Sequence, residues 1–179
     1  MFYLAEYDSV VGKITIASTK THVVGLWIEG QKYFLQSMHE SGERCEDIPV
    51  LQQTKVWLDR YFAGEKPLIS ELPLAPIGSE FRQEVWKILC KIPYGEVITY
   101  GEIAKQMAKR LGKTSMSAQA IGGAVGHNPV SIIIPCHRVV GTNGSLTGYA
   151  GGIEKKIALL EHEKVDMAKL FVPKKGTAL

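Results

Sequence analysis

The sequence places a cysteine and a histidine side by side at the end of an apolar segment. Residues 131–134 include three consecutive isoleucines, a β-branched run that favours a short buried strand, and Pro135, Cys136 and His137 follow directly. Proline fixes its own φ and moves the preceding residue out of the helical region, so we expect the strand to stop at Pro135. A thiol beside an imidazole can form a thiolate near neutral pH, and the thiolate is the form that attacks carbon. The segment therefore predicts a nucleophilic cysteine.

Two simpler interpretations of the same segment remain open at this level. A cysteine among apolar residues is more often an inert part of the core. Neighbouring residues on a strand point to opposite faces, so Cys136 and His137 need not share a site. The dipeptide alone does not decide among these interpretations.

The N-terminal part of the chain, residues 1–75, is predicted to be a β-sheet with one helix. Runs of β-forming residues at 2–7, 12–18 and 23–28 have hairpin spacing and predict an antiparallel meander. A helix is predicted over residues 49–62, because its apolar side chains fall largely on one helical face. We find no catalytic chemistry in this part, and Cys45 is expected in an exposed loop because charged residues surround it. The apolar helical set is Leu51, Val56, Trp57, Leu58, Tyr61 and Phe62.

Residues 76–165 are predicted to form a second, mostly helical domain, followed by a frayed tail over residues 166–179. Ser79 can cap its first helix, in which Trp86 is expected to be a core residue. Cys90 closes that helix and is expected to be a buried structural thiol. The last helix of the domain is predicted over residues 153–163, with its apolar face on Ile157, Leu159 and Leu160.

Two short segments in the middle of this domain favour a helix-turn-helix. Residues 101–110 and 116–125 read as helices joined by a polar loop. The second helix is rich in alanine and glycine, and each glycine costs about 1 kcal/mol of helix stability relative to alanine. Either close approach of a ligand to the helix backbone or tight packing inside the domain would explain that cost.

Composition and charge limit the functional classes. Residues 1–75 carry 7 Lys and Arg against 10 Asp and Glu, whereas residues 76–179 carry 14 against 8. The basic second half suggests a polyanionic partner, although a merely solvated basic face would give the same count.

The three cysteines are scattered, which argues against a disulfide framework and a zinc site. No apolar run is long enough to span a bilayer and no secretory signal is apparent, so we expect a cytoplasmic protein without membrane contact.

The residues around the cysteine extend the motif in both directions. Asn128-Pro129-Val130 precedes it, and Gly148-Tyr149-Ala150-Gly151-Gly152 follows Pro135-Cys136-His137-Arg138-Val139 after a loop. Together these segments resemble the O6-alkylguanine-DNA alkyltransferase family, closely over residues 79–163 and in general layout before that. The resemblance implies an α/β (α+β) fold: an N-terminal ribonuclease-H-like antiparallel sheet with a helix, then a winged-helix-like catalytic and DNA-binding domain.

The resemblance also implies a reaction and its catalytic residues. In the family, the matching cysteine takes an alkyl group from guanine O6 and keeps it as a thioether, which makes Cys136 the expected acceptor. His137, through a bound water, and Glu163 match the residues that activate the thiol. These types suit the task, since imidazole takes a proton and a carboxylate fixes its tautomer. Tyr100 matches the tyrosine that donates to guanine N3. Arg138 is expected to support the fold by pairing.

Three further positions match residues that hold the base or the turn around the cysteine. The backbone groups of Val139 and Ala150 match positions that read the base edge. Several relatives have serine instead of Ala150, and alanine serves equally well if only the N–H is used. Asn128 matches the hinge asparagine whose amide ties the helix-turn-helix to the active-site turn.

The groove-facing helix departs from the family pattern. A stacked guanine cannot reach a deep thiol, so the base must be flipped out at a cost of a few kcal/mol. In the family an arginine of the second helix fills the space left behind, and the matching residue here is Gln119. Glutamine is uncharged and shorter, which puts that role in doubt. Ala118 and Gly122, on the small-residue face, remain suited to the minor groove.

The expected partner is double-stranded DNA containing O6-alkylguanine, with O4-alkylthymine an open question. We expect a monomer that needs no cofactor and no metal. Two alternatives stay open: a non-catalytic binder of alkylated bases, whose known family examples lack the cysteine, and a cysteine hydrolase using Cys136, His137 and Glu163. A hydrolase would turn over, whereas a thioether on sulfur does not hydrolyse.

Overall fold

The computed structural model describes residues 1–174, and its N-terminal part is a four-stranded sheet. Strands β1 (Phe2–Ser9), β2 (Gly12–Ser18) and β3 (Val23–Ile28) form the predicted antiparallel meander. A short fourth strand, β4 (Gly42–Arg44), pairs with β1 in parallel and gives the order β3-β2-β1-β4. The sequence did not predict β4, because three residues with two exposed charges carry no strand pattern. The sheet is therefore mixed at one edge.

Cys45 follows β4 and is not in an exposed loop as predicted. Its N–H donates to the carbonyl oxygen of Leu4 at 3.1 Å, which extends the parallel pairing by one residue. The side chain is half-buried and packs against the core. Backbone pairing turns this side chain inward despite its charged neighbours.

Helix α1 (Pro49–Phe62) packs on the sheet, with proline in its first turn as helix starts prefer. The predicted face is confirmed for Leu51, Trp57, Leu58 and Tyr61, which are buried. Val56 is exposed, so its inclusion in that face was wrong. It precedes Trp57 by one residue, about 100° around the helix, and this rotation carries it to the solvent side.

The second part of the chain is built from short helices around one two-stranded parallel ladder. Ser79 caps α2 (Glu80–Leu89) as predicted, accepting from the N–H of Arg82 at 3.4 Å. Thr99 and Glu102 form a capping box at the start of the next helix, α3 (Tyr100–Arg110). Trp86 is buried as predicted. Cys90 caps the C-terminal end of α2 and is half-buried, so the prediction of a buried thiol is wrong, because the end of the helix leaves one side of the residue uncovered. The remaining elements are β5 (Ile98–Thr99), α4 (Ala118–Gly126), β6 (Val139–Val140) and α5 (Ile153–His162).

The predicted strand over residues 131–134 is wrong, because this segment is a buried turn. Its backbone bends at Ile132, which has a φ of 69°, a conformation that is rare for a β-branched residue. The side-chain amide of Asn128 holds the bend by donating to the carbonyl oxygens of Ile134 (2.8 Å) and Val130 (3.4 Å). From the sheet side, the backbone of Leu26 bonds to Pro129 and Ser131. The three isoleucines explain why the segment is buried, and the hydrogen bonds of Asn128 explain why it forms a turn.

One hydrophobic cluster runs through both parts of the chain, from Tyr3 in β1 to Leu159 in α5. The prediction of a frayed tail is wrong for its first residues. Residues Met167–Lys169 form a 3-10 helix, and Phe171 exchanges backbone hydrogen bonds with Gly144 and Leu146. The last five residues of the predicted tail, 175–179, lie outside the described part. No helix within residues 1–174 is long and apolar enough to cross a membrane.

Candidate active site

Cys136 is the first residue of a one-turn 3-10 helix, Cys136–Arg138, that follows the buried turn. Its N–H donates to the carbonyl oxygen of Ile134 at 2.8 Å, and Asn128 holds the same carbonyl from the other side. Asn128 therefore links the end of α4 to the cysteine. The role of Asn128 as a hinge stays a prediction.

The Cys136 thiol is only 4% exposed. Burial raises the pKa of this thiol, while the amide of Asn128 and the positive charge of Lys156 act in the opposite direction. The net direction is upward, so the resting form is the neutral thiol. The thiol must give up its proton to a nearby base before it can attack.

His137 and Glu163 form a buried pair beside the cysteine, with Nε2 and Oε1 at 2.7 Å. Burial lowers the pKa of His137 and outweighs the raising effect of Glu163, so the imidazole is neutral. The carboxylate can only accept, which places the imidazole proton on Nε2. Nδ1 is buried and has no hydrogen-bond partner among the described residues. It is the basic nitrogen left to receive a proton.

Glu163 is held by donors from three other parts of the chain. Arg138 donates through Nε to Oε2 at 2.8 Å and through Nη2 to Oε1 at 2.9 Å. The hydroxyl of Tyr61 donates to Oε1 at 2.8 Å, and the N–H of Gly95 donates to Oε2 at 3.3 Å. Burial alone would raise the pKa of Glu163, but His137 and Arg138 hold it well below its usual range. The carboxylate is therefore ionised and fixed in orientation.

Two of these donors bear on the sequence predictions. Arg138 pairs as expected, and its Nη1 also donates to the carbonyl oxygen of Ile92 at 2.7 Å. Tyr61 lies in α1 and bonds to Glu163, so the prediction that residues 1–75 carry no chemistry is incomplete. Tyr61 is separated from Glu163 by 102 residues, so the pattern of neighbouring residues in the sequence cannot predict this contact.

Tyr100 is the first residue of α3, and its hydroxyl donates to the carbonyl oxygen of Thr147 at 3.1 Å. Burial, and then the nearby Cys136, raise the pKa of Tyr100 well above its usual value. The phenol therefore stays protonated and remains a donor. Its ring lines a cavity of about 630 Å³ together with Gln119, Ala118, Gly122 and Ala150, all of which were predicted to contact DNA or the base.

Cys136, Val139 and Asn128 are not on the walls of that cavity. Val139 is buried in β6, and its carbonyl oxygen accepts a hydrogen bond from Lys156. Asn128 lines a neighbouring cavity of about 390 Å³. The structure thus separates the predicted residues into a buried thiol-activating cluster and an open cavity next to it.

Lys156 is a functional candidate that the sequence reading missed. It lies in α5, is fully buried, and donates through Nζ to the carbonyl oxygens of Val139 and Thr147. Burial lowers its pKa to about 8, although the nearby Cys136 raises it in part. The sequence pattern does mark Lys156 as unusual. It lies three residues before Leu159 and four before Leu160, and so places a charge on the apolar face of the helix.

The glycines of α4 are not required by packing. A Cβ built on Gly122, Gly123 or Gly126 would meet no atom within 4 Å, and none of the three has a positive φ. Tight packing inside the domain was one of the two predicted explanations, and it is wrong for these positions. This face of α4 is not covered by other described parts of the chain, and all three glycines line the same cavity as Gln119.

No group of three or more His, Cys, Asp or Glu within residues 1–174 is placed to hold a metal ion. The buried cluster consists of the thiol of Cys136, the His137–Glu163 pair and the basic side chains of Arg138 and Lys156.

Comparison with known proteins gives two family matches that together span nearly the whole chain. Residues 2–76 match the ribonuclease-like domain of 6-O-methylguanine DNA methyltransferase, and residues 80–165 match its DNA binding domain. These matches confirm the fold class that the resemblance implied. The first match covers the sheet and α1, and the second covers the helical part described above.

Individual relatives extend over most of the chain. A methylated-DNA–protein-cysteine methyltransferase from Haemophilus influenzae is 39% identical, covering 91% of this chain and 87% of that protein. A solved structure of Mycobacterium tuberculosis OGT in complex with DNA is 40% identical with a TM-score of 0.77, covering 90% of this chain and 92% of that one. An O6-methylguanine DNA methyltransferase from Methanococcus jannaschii is 28% identical with a TM-score of 0.62, covering 96% and 100%.

Proposed function

The chain belongs to the 6-O-methylguanine DNA methyltransferase family, and on that basis we propose that it repairs DNA by moving an alkyl group from guanine O6 to Cys136. The transfer is irreversible, so each molecule acts once. The observation that carries this assignment is the His137–Glu163 pair, which leaves one unpartnered imidazole nitrogen on the residue that follows the buried cysteine.

The first step is proton transfer. The Cys136 proton goes to Nδ1 of His137, directly or through one water, and the imidazolium that forms is stabilised by Glu163. Because Arg138 already neutralises much of the carboxylate charge, Glu163 orients the ring without taking its proton. The thiolate is created inside the protein, where little water competes for it.

The second step is displacement at the alkyl carbon. The bond from sulfur to carbon forms as the bond from carbon to O6 breaks, and the electron pair stays on guanine. Tyr100 is a protonated donor at the edge of the cavity, and its hydroxyl can turn from Thr147 to guanine N3. A donor to the departing base lowers the barrier because guanine leaves as an anion. The proton held by His137 then passes to the departing guanine anion, directly or through water, so that guanine and the imidazole both end neutral.

Helix α4 is the element that enters the minor groove. Its bare glycines let the DNA backbone approach the helix closely, which accounts for residues that cost stability and fill no protein contact. The alkylated guanine leaves the stack and enters the cavity lined by Tyr100 and Ala150. Gln119 faces the space that the base vacates. We place the domain boundary between residues 75 and 76, so the groove helix and the cysteine share one domain.

A labelled-methyl assay tests the assignment. Duplex DNA carrying one O6-methylguanine with a radiolabelled methyl group should transfer the label to the wild-type protein and to Cys90→Ser, a half-buried cysteine outside the cluster. Cys136→Ser should take up no label. Label on the Cys136→Ser protein would reject the assignment, and release of free labelled product would favour the hydrolase alternative. The cysteine and its intact activating pair speak against a non-catalytic DNA binder.

We place this activity in the cytoplasm and assign it to a monomer, since one chain supplies every group of the cluster. Light scattering of the purified protein with and without duplex DNA tests the oligomeric state.

A further inference from the structure

A loop of the N-terminal domain forms part of the cavity wall. This loop, residues 31–36, follows β3, and Lys32 and Tyr33 line the same cavity as Tyr100 and Gln119. The loop lies outside residues 80–165, the segment that matches the DNA binding domain. The cavity is therefore shared between the two domains.

The loop is anchored to the catalytic domain by specific contacts. Buried Gln31 accepts through Oε1 from the hydroxyl of Ser131 at 2.9 Å, next to the active-site turn. The backbone N–H of Lys32 donates to the carbonyl oxygen of Ala150 at 3.0 Å. These bonds fix the two residues that follow Gln31 relative to the cysteine.

Tyr33 stacks on a residue at the C-terminal end of α4. Its ring centroid lies 3.9 Å from that of His127, with the two planes 21° apart. His127 in turn bonds through Nδ1 to the carbonyl oxygen of Gly123 at 2.7 Å. Tyr33 is still 43% exposed, and its backbone has a φ of 60°, which is uncommon for a residue other than glycine. An aromatic ring is thus held in place with a large part of its surface uncovered.

The wall formed by this loop has the chemistry of a nucleotide-backbone contact. Lys32 is exposed and offers a cation, and Tyr33 offers a flat apolar surface beside it. The bare glycine face of α4 runs from Gln119 at one end toward His127 and Tyr33 at the other. A strand that crosses this face toward the cavity would reach the loop. Gln119 adds no positive charge, so Lys32 is the cation among the residues that line the cavity.

We propose that Lys32 and Tyr33 bind the damaged strand where the flipped nucleotide leaves the duplex, Lys32 at a phosphate and Tyr33 against a deoxyribose. The DNA-binding surface then extends beyond the helix-turn-helix into the ribonuclease-like domain. This inference rests on the proposed function, because it takes DNA on α4 as its starting point. If the inference is right, substitution of Lys32 or Tyr33 should weaken binding to duplex DNA and leave the reaction with a free alkylated base unchanged.

Two variants test the contact, each with a matched control. Lys32→Gln removes the charge, and Lys20→Gln removes another exposed charge, in the β2–β3 turn and outside the cavity lining. Tyr33→Ala removes the stacked ring, and Phe34→Ala removes the loop's other exposed aromatic, which packs on Trp27 away from the cavity. The readouts are duplex affinity against salt concentration and the rate of alkyl transfer from duplex DNA and from free O6-benzylguanine.

We expect Lys32→Gln to weaken duplex binding about fivefold and to reduce the slope of log K against log salt by about one. Tyr33→Ala should weaken duplex binding about five- to tenfold, because the deoxyribose loses the apolar surface on which it packs. Both variants should react with O6-benzylguanine within about twofold of wild type, and both controls should behave as wild type on duplex and free base.

Unchanged duplex affinity in both variants would overturn the proposal. Equal slowing on duplex and free base would also overturn it, since the residues would then support the base pocket. A similar loss in Phe34→Ala would show that Tyr33→Ala acts by loosening the loop. If Tyr33→Ala does not fold, Lys32→Gln at the surface still decides the matter. Failure of the wild-type protein to transfer alkyl groups would reject the proposed function, whereas normal wild-type transfer with unaffected variants would reject this contact alone.

Discussion

His137 and Glu163 are joined by a 2.7 Å hydrogen bond inside a fully enclosed cluster, and this bond sets the tautomer of the imidazole. Arg138 and Tyr61 hold the carboxylate on its other sides. Because Nε2 is committed to Glu163, only Nδ1 can take the thiol proton. We therefore expect the activation of Cys136 to depend on Glu163, a carboxylate 27 residues further along the chain.

Glu163→Gln should slow alkyl transfer by at least about tenfold, since the imidazole loses both its orientation and the charge that stabilises its cation. The variant also leaves Arg138 buried without its counter-ion, so we expect a loss of about 3–5 kcal/mol in unfolding free energy. Single-turnover kinetics, DNA affinity and thermal unfolding are measured together. Glu161→Gln, an exposed change in α5, should match wild type in all three. Wild-type kinetics in folded Glu163→Gln would remove Glu163 from the mechanism.

Acidification should destabilise the protein in two stages. The folded pKa of His137 lies below its ordinary value of 6.5, so the unfolded chain binds more protons and stability falls as the pH drops through this range. Glu163, with a pKa held below its ordinary value of 4.5, adds a second loss at lower pH. Thermal unfolding between about pH 7.5 and pH 5 measures the first stage. His137→Asn should flatten it, and His22→Asn, at an exposed turn, should not. A wild-type melting temperature that is constant over this range would contradict the burial of a neutral His137.

Gly123→Ala should separate stability from DNA binding. The added methyl group meets no atom within 4 Å, and alanine is the better helix former, so we expect a gain of about 1 kcal/mol in unfolding free energy. Duplex affinity should fall, because the methyl group occupies the face that DNA approaches. Reaction with free O6-benzylguanine serves as the internal control and should not change. A more stable variant with wild-type duplex affinity would show that DNA does not contact this part of α4.

Gln119→Arg should strengthen duplex binding, with part of the gain lost at high salt because the new charge faces phosphates. Gln119→Ala should slow repair in duplex DNA more than reaction with O6-benzylguanine, which needs no flipping. Affinity and single-turnover rates on the two substrates measure both changes. Equal slowing on both would mean that Gln119 supports the pocket, and no effect on either would mean that α4 lies elsewhere on the DNA.

The sequence predicted the helices and the caps because both depend on neighbours close in the chain. Ser79 lies next to the helix that it caps, and the apolar face of α1 can be recognised from the spacing of its residues within one helix. The turn around Ile132 was misread as a strand, because three isoleucines give the same pattern in either structure. What decides the conformation is the amide of Asn128, whose hydrogen bonds cannot be read from hydrophobicity.

Among the site residues too, those within a sequence motif were predicted, and those defined by contacts between distant parts of the chain were not. The motif singled out Cys136 and His137, and the resemblance supplied Glu163 and Tyr100. Tyr61 and the 31–36 loop were missed, because their contacts join parts of the chain about a hundred residues apart. Lys156 was missed although its position on an apolar helical face marked it as unusual.

The mass of the intact protein after reaction with excess duplex DNA containing O6-methylguanine tests the central claim most directly. We expect every active molecule to gain the mass of a single methylene group and then to stop reacting, with the modification on the peptide that contains Cys136. The stoichiometry should not rise with further substrate, since nothing in the cluster can hydrolyse a thioether. An unmodified protein that continues to consume substrate, or a methyl group on Cys45 or Cys90, would contradict the assignment.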